Sequence, residues 1–347
     1  MSPSFSGEYP VEAGQEWEAE PFQPEYAEPV TRLFLSVYGT GYPIATYIDP
    51  DLLRRENASG TVISCVARTP RGDVVGFLAL YRSAPFQGIC EAGAGVVHSL
   101  YRGGKGVFTR MTKFLQELGA REHGVEAVFG ESVCNHVFSQ KMCNSLGWIT
   151  HAVEVDLMPA SAYEKESSAS GRVASLLDYM TLVKKPHSVY LPEACEEALR
   201  FIYSGLDDRR ELNLSQNRWP RDSRTEIRPG YFDFAQVARL AVWKTGADFP
   251  SSFEREEATA RGRGSTVIQA WLNLSEPWVG QAVETLRERG YFLGGLLPRW
   301  FDADGLLLSR VFHRPHWEGM QIHFERARKI VQTAREDWER TCPAACS

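Results

Sequence analysis

Apolar residues at the start of the chain recur with two different spacings. Every third or fourth position is apolar through residues 25–38, which predicts an amphipathic helix, and the pattern over 49–56 predicts a shorter one. Two apolar runs, residues 61–67 and 74–81, are separated by the sequence Pro-Arg-Gly-Asp. Apolar runs around a short polar turn are typical of a β-hairpin. We therefore expect two helices followed by a hairpin.

The next apolar run, residues 89–98, ends in a basic stretch rich in glycine. An amphipathic segment over residues 106–122 follows it at once. This order predicts a strand, a loop and a helix. The remaining predicted elements of this half are a strand over 127–130, a helix over 136–146 and a strand over 148–158.

A stretch rich in Ser, Ala and Glu, residues 159–178, separates two halves of similar organisation. Its composition is typical of a linker, so we predict one domain over residues 1–158 and another over 179–347. The predicted elements of the second half are strands over 179–184, 237–243 and 266–274, helices over 192–203, 252–261, 276–288 and 317–340, a polar loop over 207–228 and two strands before the last helix. Both halves contain the order strand, helix, glycine-aromatic pair and strand, which favours a duplicated fold over a chance likeness.

The composition fits two folded domains and limits which partners and which compartment we expect for the chain. Of the 347 residues, 43% are hydrophobic and 24% charged, and the net charge of −6 gives no overall attraction to nucleic acid. No apolar run approaches the roughly 18–20 residues of a membrane span, and the first residues do not resemble a signal peptide. We therefore expect a soluble, cytoplasmic protein without a membrane partner. Seven scattered cysteines without zinc-site spacing predict reduced thiols and no bound metal.

The glycine-rich stretch carries the clearest chemical signal. Gly103, Gly104 and Gly106 permit positive φ angles and close backbone approach, so their amides can converge with a helix N-terminus on an anion. Arg102 and Lys105 add positive charge. On the glycines alone, a phosphate-binding loop and a turn that binds nothing are equally good interpretations.

With these residues in place, the chain resembles the GNAT superfamily of acyl-CoA-dependent N-acyltransferases. The resemblance covers roughly residues 15–158. The order of helices, hairpin, strand, loop and helix is similar, and Leu146-Gly147-Trp148 resembles the Leu-Gly-Phe that closes the last helix in this family. The loop departs from the family pattern Arg/Gln-x-x-Gly-x-Gly/Ala by one apparent insertion. The second half resembles the same fold without such a loop, as a degenerate, non-catalytic copy.

The resemblance implies an α/β fold of two GNAT-like domains in tandem, each a mixed, mostly antiparallel sheet flanked by helices. It implies that acetyl-CoA or another acyl-CoA is the co-substrate, bound by the loop from Arg102 through Val107. Backbone amides near Val96 and Val97 are expected to contact the thioester or its oxyanion. Asn135 and Ser139 are expected at the pantetheine arm, with helix capping and a helix-surface position as their alternatives.

The family reaction is the attack of an amine on the thioester carbonyl, which needs a base and an acid. Glu91, on the strand before the loop, is the most family-like base. His98 and His136 are alternatives, and each of the three also fits an ordinary structural role. Cys143 stands where the family commonly has a tyrosine acid. It is a candidate for acid or covalent chemistry, against the interpretation of a buried packing thiol.

We accordingly predict an N-acyltransferase that acts on an amine of a small molecule or natural product. One alternative is a donor other than CoA, an aminoacyl-tRNA or an acyl carrier protein. The basic stretch 313–316, with Arg326, Arg328 and Lys329, supplies groups that could contact its phosphates. The other alternative is a protein that binds acyl-CoA without catalysis, which the missing tyrosine favours and the retained glycines oppose.

Overall fold

The computed structural model describes residues 9–42, 44–104, 106–161, 171–216, 218–220 and 222–342. The first half contains, in chain order, β1 (Glu18–Pro21), α1 (Ala27–Tyr38), α2 (Pro50–Ser59), β2 (Val62–Arg68), β3 (Val74–Tyr81), β4 (Ile89–Val97), α3 (Val107–His123), β5 (Ala127–Val133), α4 (Phe138–Ser145) and β6 (Ile149–Pro159). The second contains β7 (Arg172–Thr181), β8 (His187–Leu191), α5 (Glu196–Tyr203), β9 (Arg210–Leu214), β10 (Glu226–Phe232), β11 (Val237–Lys244), α6 (Phe249–Gly262), β12 (Val267–Asn273), α7 (Val279–Glu288), β13 (Phe292–Leu297), β14 (Gly305–Val311) and α8 (Glu325–Thr341). The prediction of a mixed α/β fold is confirmed.

Residue contacts divide the chain into two compact units. Unit 1 contains the residues up to Ser83 and Gln87–Phe129, and unit 2 contains Ala84–Phe86 and the residues from Gly130 onward. The border between the units therefore falls inside β5. The domain boundaries at residues 158 and 179 are a different division of the chain and stay a prediction.

The sheet of unit 1 has the order β1-β2-β3-β4-β5. Neighbouring strands are antiparallel except for the parallel pair β4 and β5. The predicted hairpin is β2 and β3, in which Val62 stands opposite Tyr81. Helix α1 buries its apolar face, including Val30, Leu33 and Phe34, in a core that also contains residues of β2, β3 and β4. This packing follows from the three- and four-residue spacing of the apolar positions.

Helix α2 has clear start and stop signals in the sequence. The Asp49 carboxylate accepts hydrogen bonds from the amides of Asp51 and Leu52, and Pro50 occupies the first helical position. The helix ends at Gly60, whose φ of 72° is left-handed. The Asp49 carboxylate and Pro50 explain why the helix begins at this point. The left-handed glycine explains why it stops before β2.

Unit 2 contains a sheet with the order β7-β6-β13-β14-β12-β11-β10 and a separate parallel pair, β8 and β9. Within the larger sheet β11 and β12 run parallel, whereas the pairs β10–β11, β12–β14, β13–β14, β6–β13 and β6–β7 are antiparallel. In both halves of the chain a helix connects two parallel strands, α3 between β4 and β5, and α6 between β11 and β12. A further helix and an antiparallel strand pair follow each time. No helix in the described ranges has the length and apolar character needed to cross a bilayer.

Three predicted elements of the second half differ from the structure. Strand β7 begins at Arg172 and occupies part of the predicted linker, of which residues 162–170 lie outside the described ranges. The sequence did not predict this strand because it contains the polar residues Ser175 and Asp178, which are both buried. The predicted polar loop contains β9 and the start of β10. The last helix begins at Glu325, because residues 317–319 form a separate 3-10 turn.

A fully buried carboxylate, Asp304, connects several elements of unit 2. It accepts hydrogen bonds from the Tyr203 hydroxyl at 3.0 Å, the Arg210 Nε at 2.7 Å and the Arg299 amide at 2.8 Å. Burial opposes the charged form, but hydrogen bonds and positive charge from His187 and Arg210 keep the pKa of Asp304 well below its ordinary value. The carboxylate therefore holds α5, β9 and the segment before β14 together as an anion.

Candidate active site

Strand β4 is interrupted by a β-bulge. Phe77 of β3 stands opposite Val96, whereas Ala79 stands opposite Gly93, so β4 has one residue more than β3 between these pairs. Ala94, inside the bulge, has a φ of 50°, which is rare for a residue with a side chain. Such bulges bend a strand and redirect its groups, and they are frequent next to active sites.

Glycine at position 95, directly after Ala94, allows the ring of Phe108 to lie against the backbone. A Cβ on Gly95 would lie 2.1 Å from one ring carbon of Phe108 and 2.4 Å from another. Phe108 belongs to the first turn of α3, so this approach fixes the bulge against the start of that helix.

We expect Gly95→Ala to destabilise the fold by about 1–3 kcal/mol, because the ring or the strand must move to admit a methyl group. Chemical denaturation of the purified protein measures the change. Gly262→Ala is the matched control, since a Cβ there meets no atom within 4 Å. If Gly95→Ala and Gly262→Ala have equal stability, the close approach described here is wrong.

Glu91 is oriented by two hydroxyl groups. Its side chain is 7% exposed, and its two carboxylate oxygens accept hydrogen bonds from Tyr81 and Ser83, both at 2.5 Å. Tyr81 stands directly opposite Glu91 in the register of β3 and β4. The sequence prediction of Glu91 did not include these two partners. Knowledge of the register of β3 and β4 would have identified Tyr81.

A cluster of aromatic rings lies within reach of the charge on Glu91. Its ring centroids are 5.0 to 6.1 Å apart, and its members are Phe34, Tyr38, Tyr42, Tyr47 and Phe77. Burial raises the pKa of both Tyr42 and Tyr47, and the negative charge of Glu91 is a smaller cause of each shift. The hydroxyl groups of Tyr42 and Tyr47 therefore keep their protons.

The glycine loop is open and left-handed at each described glycine. The φ angles are 77° at Gly103, 88° at Gly104 and 67° at Gly106, and a Cβ on any of them would meet no atom within 4 Å. Gly106 is the N-cap of α3 and offers no side chain to the free amides of the first turn, which contains no acidic residue. Lys105 lies outside the described residues. An uncapped helix start next to these glycines can accept an anion.

Two residues beside the loop have structural partners. The Arg102 Nε donates to the Val97 carbonyl at 2.8 Å, which ties the start of the loop to the end of β4. His98 is buried: its Nε2 lies 3.1 Å from the Tyr9 carbonyl, and its Nδ1 accepts from the Leu100 amide at 3.4 Å. Both ring nitrogens of His98 are thus engaged with backbone. This geometry favours the structural interpretation of His98 over a role as base.

The other predicted site residues belong to unit 2. Asn135 is buried, and its backbone carbonyl accepts a hydrogen bond from the Gln321 side chain at 3.0 Å. The His136 Nδ1 and the Ser139 Oγ are buried and make no hydrogen bond to a described residue. Buried polar atoms normally have partners, so these two atoms suit a contact with a ligand. The roles of Asn135, His136 and Ser139 stay predictions.

Cys143 has the properties of a packing thiol. It is 3% exposed, and its sulfur lies 3.5 Å from the Ser132 hydroxyl. Burial, with a smaller contribution from Asp178, raises its pKa to about 12. A buried thiol with a raised pKa is a poor nucleophile and a poor acid near neutral pH, so this geometry favours the packing interpretation of Cys143 over a catalytic role. No three His, Cys, Asp or Glu residues of the described chain are placed to hold a metal ion.

The second half has different residues at the corresponding strand positions. Glu91 is the third residue of β4 and pairs with Phe129, the third of β5. Arg239 is likewise third in β11 and pairs with Gln269, third in β12. The Arg239 guanidinium donates to Gln269, Glu154 and Glu131 at 3.1, 2.9 and 2.7 Å. A cation thus stands where the first half has a carboxylate.

The connection between β11 and α6 is filled by the chain itself. The Glu276 carboxylate accepts from both the amide and the hydroxyl of Thr245, at 2.9 and 2.7 Å. A Cβ on Gly246 would lie 2.0 Å from the Ser223 carbonyl oxygen. Asp248, immediately before α6, places negative charge at the start of that helix. These groups disfavour an anion here, in contrast to the loop before α3.

No protein-family model matches the sequence, and no curated protein does. Solved structures match about half of the chain. A ribosomal-protein-S5-alanine acetyltransferase from Vibrio fischeri is 10% identical, and the match covers 50% of this chain and 95% of that one with a TM-score of 0.39. A ribosomal-protein-alanine N-acetyltransferase from Brucella melitensis is 19% identical over 48% and 99% of the two chains, with a TM-score of 0.38. A GCN5-related N-acetyltransferase from Kribbella flavida is 18% identical over 48% and 98%, with a TM-score of 0.37. Each of these three structures is thus an acetyltransferase that matches about one half of this chain.

Proposed function

We propose that this protein is an N-acyltransferase that moves an acyl group from a CoA thioester to an amine. The observation that carries the proposal is the arrangement in unit 1. A bulged strand with a buried, oriented carboxylate leads directly into an open glycine loop at an uncapped helix start. The strand offers a base and the loop an anion site, which are the two functions that acyl transfer from a phosphate-bearing donor requires.

The residues of the loop fit a pyrophosphate group. The φ angles at Gly103, Gly104 and Gly106 are positive, and the open space around these three glycines leaves room for the phosphate oxygens. The first turn of α3 contributes free amides and no acidic residue.

Glu91 suits the role of proton acceptor. The amine nitrogen attacks the carbonyl carbon of the thioester, the carbon–sulfur bond breaks, and the sulfur leaves as thiolate. The proton lost by the amine passes to the Glu91 carboxylate, directly or through water. Tyr81 and Ser83 hold that carboxylate in one orientation, so it does not have to reorganise when the amine arrives.

We further propose that the second half is a degenerate copy of the first. The repeated order of a parallel strand pair, a connecting helix and an antiparallel pair supports this. Arg239 at the position of Glu91 and the filled connection before α6 would leave that copy without a base and without a donor site. The acceptor is proposed to be a small-molecule amine.

The proposal is tested by titrating the full chain with acetyl-CoA and longer acyl-CoAs in a thermal-shift assay. Stabilisation that saturates, and release of free thiol with at least one member of an amine panel, are the expected results. Total tRNA at two salt concentrations is run in parallel. Salt-dependent tRNA binding without any acyl-CoA response would replace the proposal with a tRNA-dependent transferase. Acyl-CoA binding without turnover of any amine would indicate a binding protein.

We expect Gly104→Val to weaken acyl-CoA binding at least about tenfold, because a β-branched residue disfavours a positive φ and disturbs the amides. Isothermal titration calorimetry measures the affinity. Gly124→Val is the matched control: Gly124 has a φ of 62° and open space, but it lies at the opposite end of α3. Equal acyl-CoA affinity in the two variants would contradict a donor site at the loop.

A further inference from the structure

An open groove in unit 2 has no part in the proposed reaction. It has a volume of about 640 Å³, a size typical of sites for small organic ligands. It lies where the end of β6, the start of β7, the start of β12 and the chain after β14 meet. Part of its lining is the stretch 313–316, which the sequence had marked as basic.

A buried carboxylate orients a histidine in this groove. Asp156 is 1% exposed, and its Oδ2 lies 2.8 Å from the Nε2 of His313. The His316 amide donates to both oxygens of the same carboxylate at 3.2 Å. The His313 ring is about one third exposed, and its Nδ1 makes no hydrogen bond to any described residue. The imidazole is therefore held at one nitrogen and available at the other.

Two lining residues have unusual backbone angles. Asp156 has a φ of 53° and Gln236 a φ of 55°, and only three other non-glycine residues of the described chain have positive φ. Such conformations cost energy and tend to occur at functional sites. Thr266 also lines the groove, and its buried hydroxyl has no hydrogen-bond partner among the described residues. The groove is thus lined by two residues with strained backbone and by one hydroxyl group that has no partner among the described residues.

One arginine that lines the groove has no partner among the described residues. Asp156 is engaged by His313 and His316, and Glu318 pairs with Arg335 at 3.5 Å. Arg314 is exposed and forms no ion pair or hydrogen bond with a described residue. Arg172 is the other arginine of the groove. Its guanidinium donates to the backbone carbonyls of Asp156, Leu157 and Ala235 rather than to a carboxylate.

The other basic residues singled out in the sequence do not extend this charge into a surface for a polyanion. The Arg326 guanidinium donates to the carbonyls of Thr150 and Ile202, at 3.0 and 2.6 Å. Arg328 likewise donates to backbone carbonyls of its own segment. Lys329 lies 4.1 Å from the ring centroid of Phe201. These contacts favour a small anion in the groove over a nucleic acid.

We propose that the groove binds a small organic molecule with a carboxylate or phosphate group. The oxyanion pairs with Arg314, and His313 contacts it through Nδ1. The apolar part of the molecule lies against Pro159, Ala160 and Pro315, which also line the groove. None of the residues that line the groove is among those assigned above to acyl transfer.

The test is a titration of the full chain labelled with ¹⁵N-histidine, followed by NMR at the Nδ1 resonance of His313. His313→Gln identifies that resonance by its loss. The probes are phenyl phosphate, phenylacetate and uncharged benzyl alcohol, each up to about 10 mM, a range that detects weak binding. A saturable shift with phenyl phosphate or phenylacetate, and none with benzyl alcohol, is expected. The Gly104→Val variant is expected to respond equally, which separates this site from an anion at the loop before α3.

We expect Arg314→Ala to weaken binding of the responding probe at least about fivefold, the loss of one charge-assisted contact. Arg218→Ala is the matched control, because Arg218 is also exposed and has no partner among the described residues. The proposal is overturned by the absence of a saturable shift, by an equal response to benzyl alcohol, or by equal affinity in Arg314→Ala and Arg218→Ala.

Discussion

Glu91→Gln is expected to lower kcat for acyl transfer by a factor of about 10² to 10⁴. The amide has nearly the same shape as the carboxylate but cannot accept the proton that the amine must lose. Acyl-CoA affinity is expected to stay within about twofold, because the proposed site of the donor phosphates is the glycine loop. Steady-state kinetics with the best amine, together with calorimetric titration of acyl-CoA, measure the two quantities.

Glu117→Gln is the control for Glu91→Gln, since Glu117 is an exposed acidic residue of α3. Tyr81→Phe separates positioning from proton transfer: it removes one donor to Glu91 while the carboxylate remains. We expect Tyr81→Phe to lower kcat less than Glu91→Gln does. Unchanged kcat in a folded Glu91→Gln protein would exclude Glu91 as the base.

Asp304→Asn is expected to destabilise the protein by about 3–5 kcal/mol, the usual cost when one member of a buried ion pair is lost. Arg210 has a side chain only 3% exposed, so the substitution leaves its charge buried with Asp208 as the remaining partner. Urea denaturation at pH 7 measures the loss. Asp233→Asn is the control, because that carboxylate and its partner Arg263 are both exposed, and a change of about 1 kcal/mol or less is expected.

The effect of Asp304→Asn must shrink in acid. The folded protein holds the pKa of Asp304 below the value of about 3.9 expected for the unfolded chain, so the unfolded state takes up the proton first. The contribution of Asp304 is therefore complete above roughly pH 5 and is lost as the pH falls below roughly 4. If the difference in stability between the wild-type protein and Asp304→Asn stays constant down to pH 2, the charge of Asp304 does not stabilise the wild-type protein.

The first half of the fold could be predicted because its elements follow local rules. The spacing of apolar positions located α1 and α3, and the turn between two apolar runs located the hairpin of β2 and β3. The bulge at Ala94 could not be predicted, because it depends on which residues of β3 and β4 pair across the sheet. The same register places Tyr81 against Glu91, so the orientation of the Glu91 carboxylate could not be predicted from the sequence either.

The second half was predicted less well because its strands do not have a simple alternation of apolar and polar residues. Strand β10 lies at the edge of its sheet and has the sequence Glu-Ile-Arg-Pro-Gly-Tyr-Phe, in which proline and glycine are typical of a turn. Strand β9 pairs only with the short strand β8 among the described elements. Propensity therefore favoured a loop where tertiary pairing produces strands.

The filled connection before α6 has a consequence for stoichiometry. A chain with two copies of the same strand–helix connection could hold two equivalents of an acyl donor. In the connection before α6, the proposed second copy, the Thr245 amide already donates to Glu276, and Asp248 places a negative charge at the helix start. One polypeptide should accordingly saturate with a single equivalent of acyl-CoA, so that titration curves describe one class of site, and any cooperativity must arise between separate polypeptides.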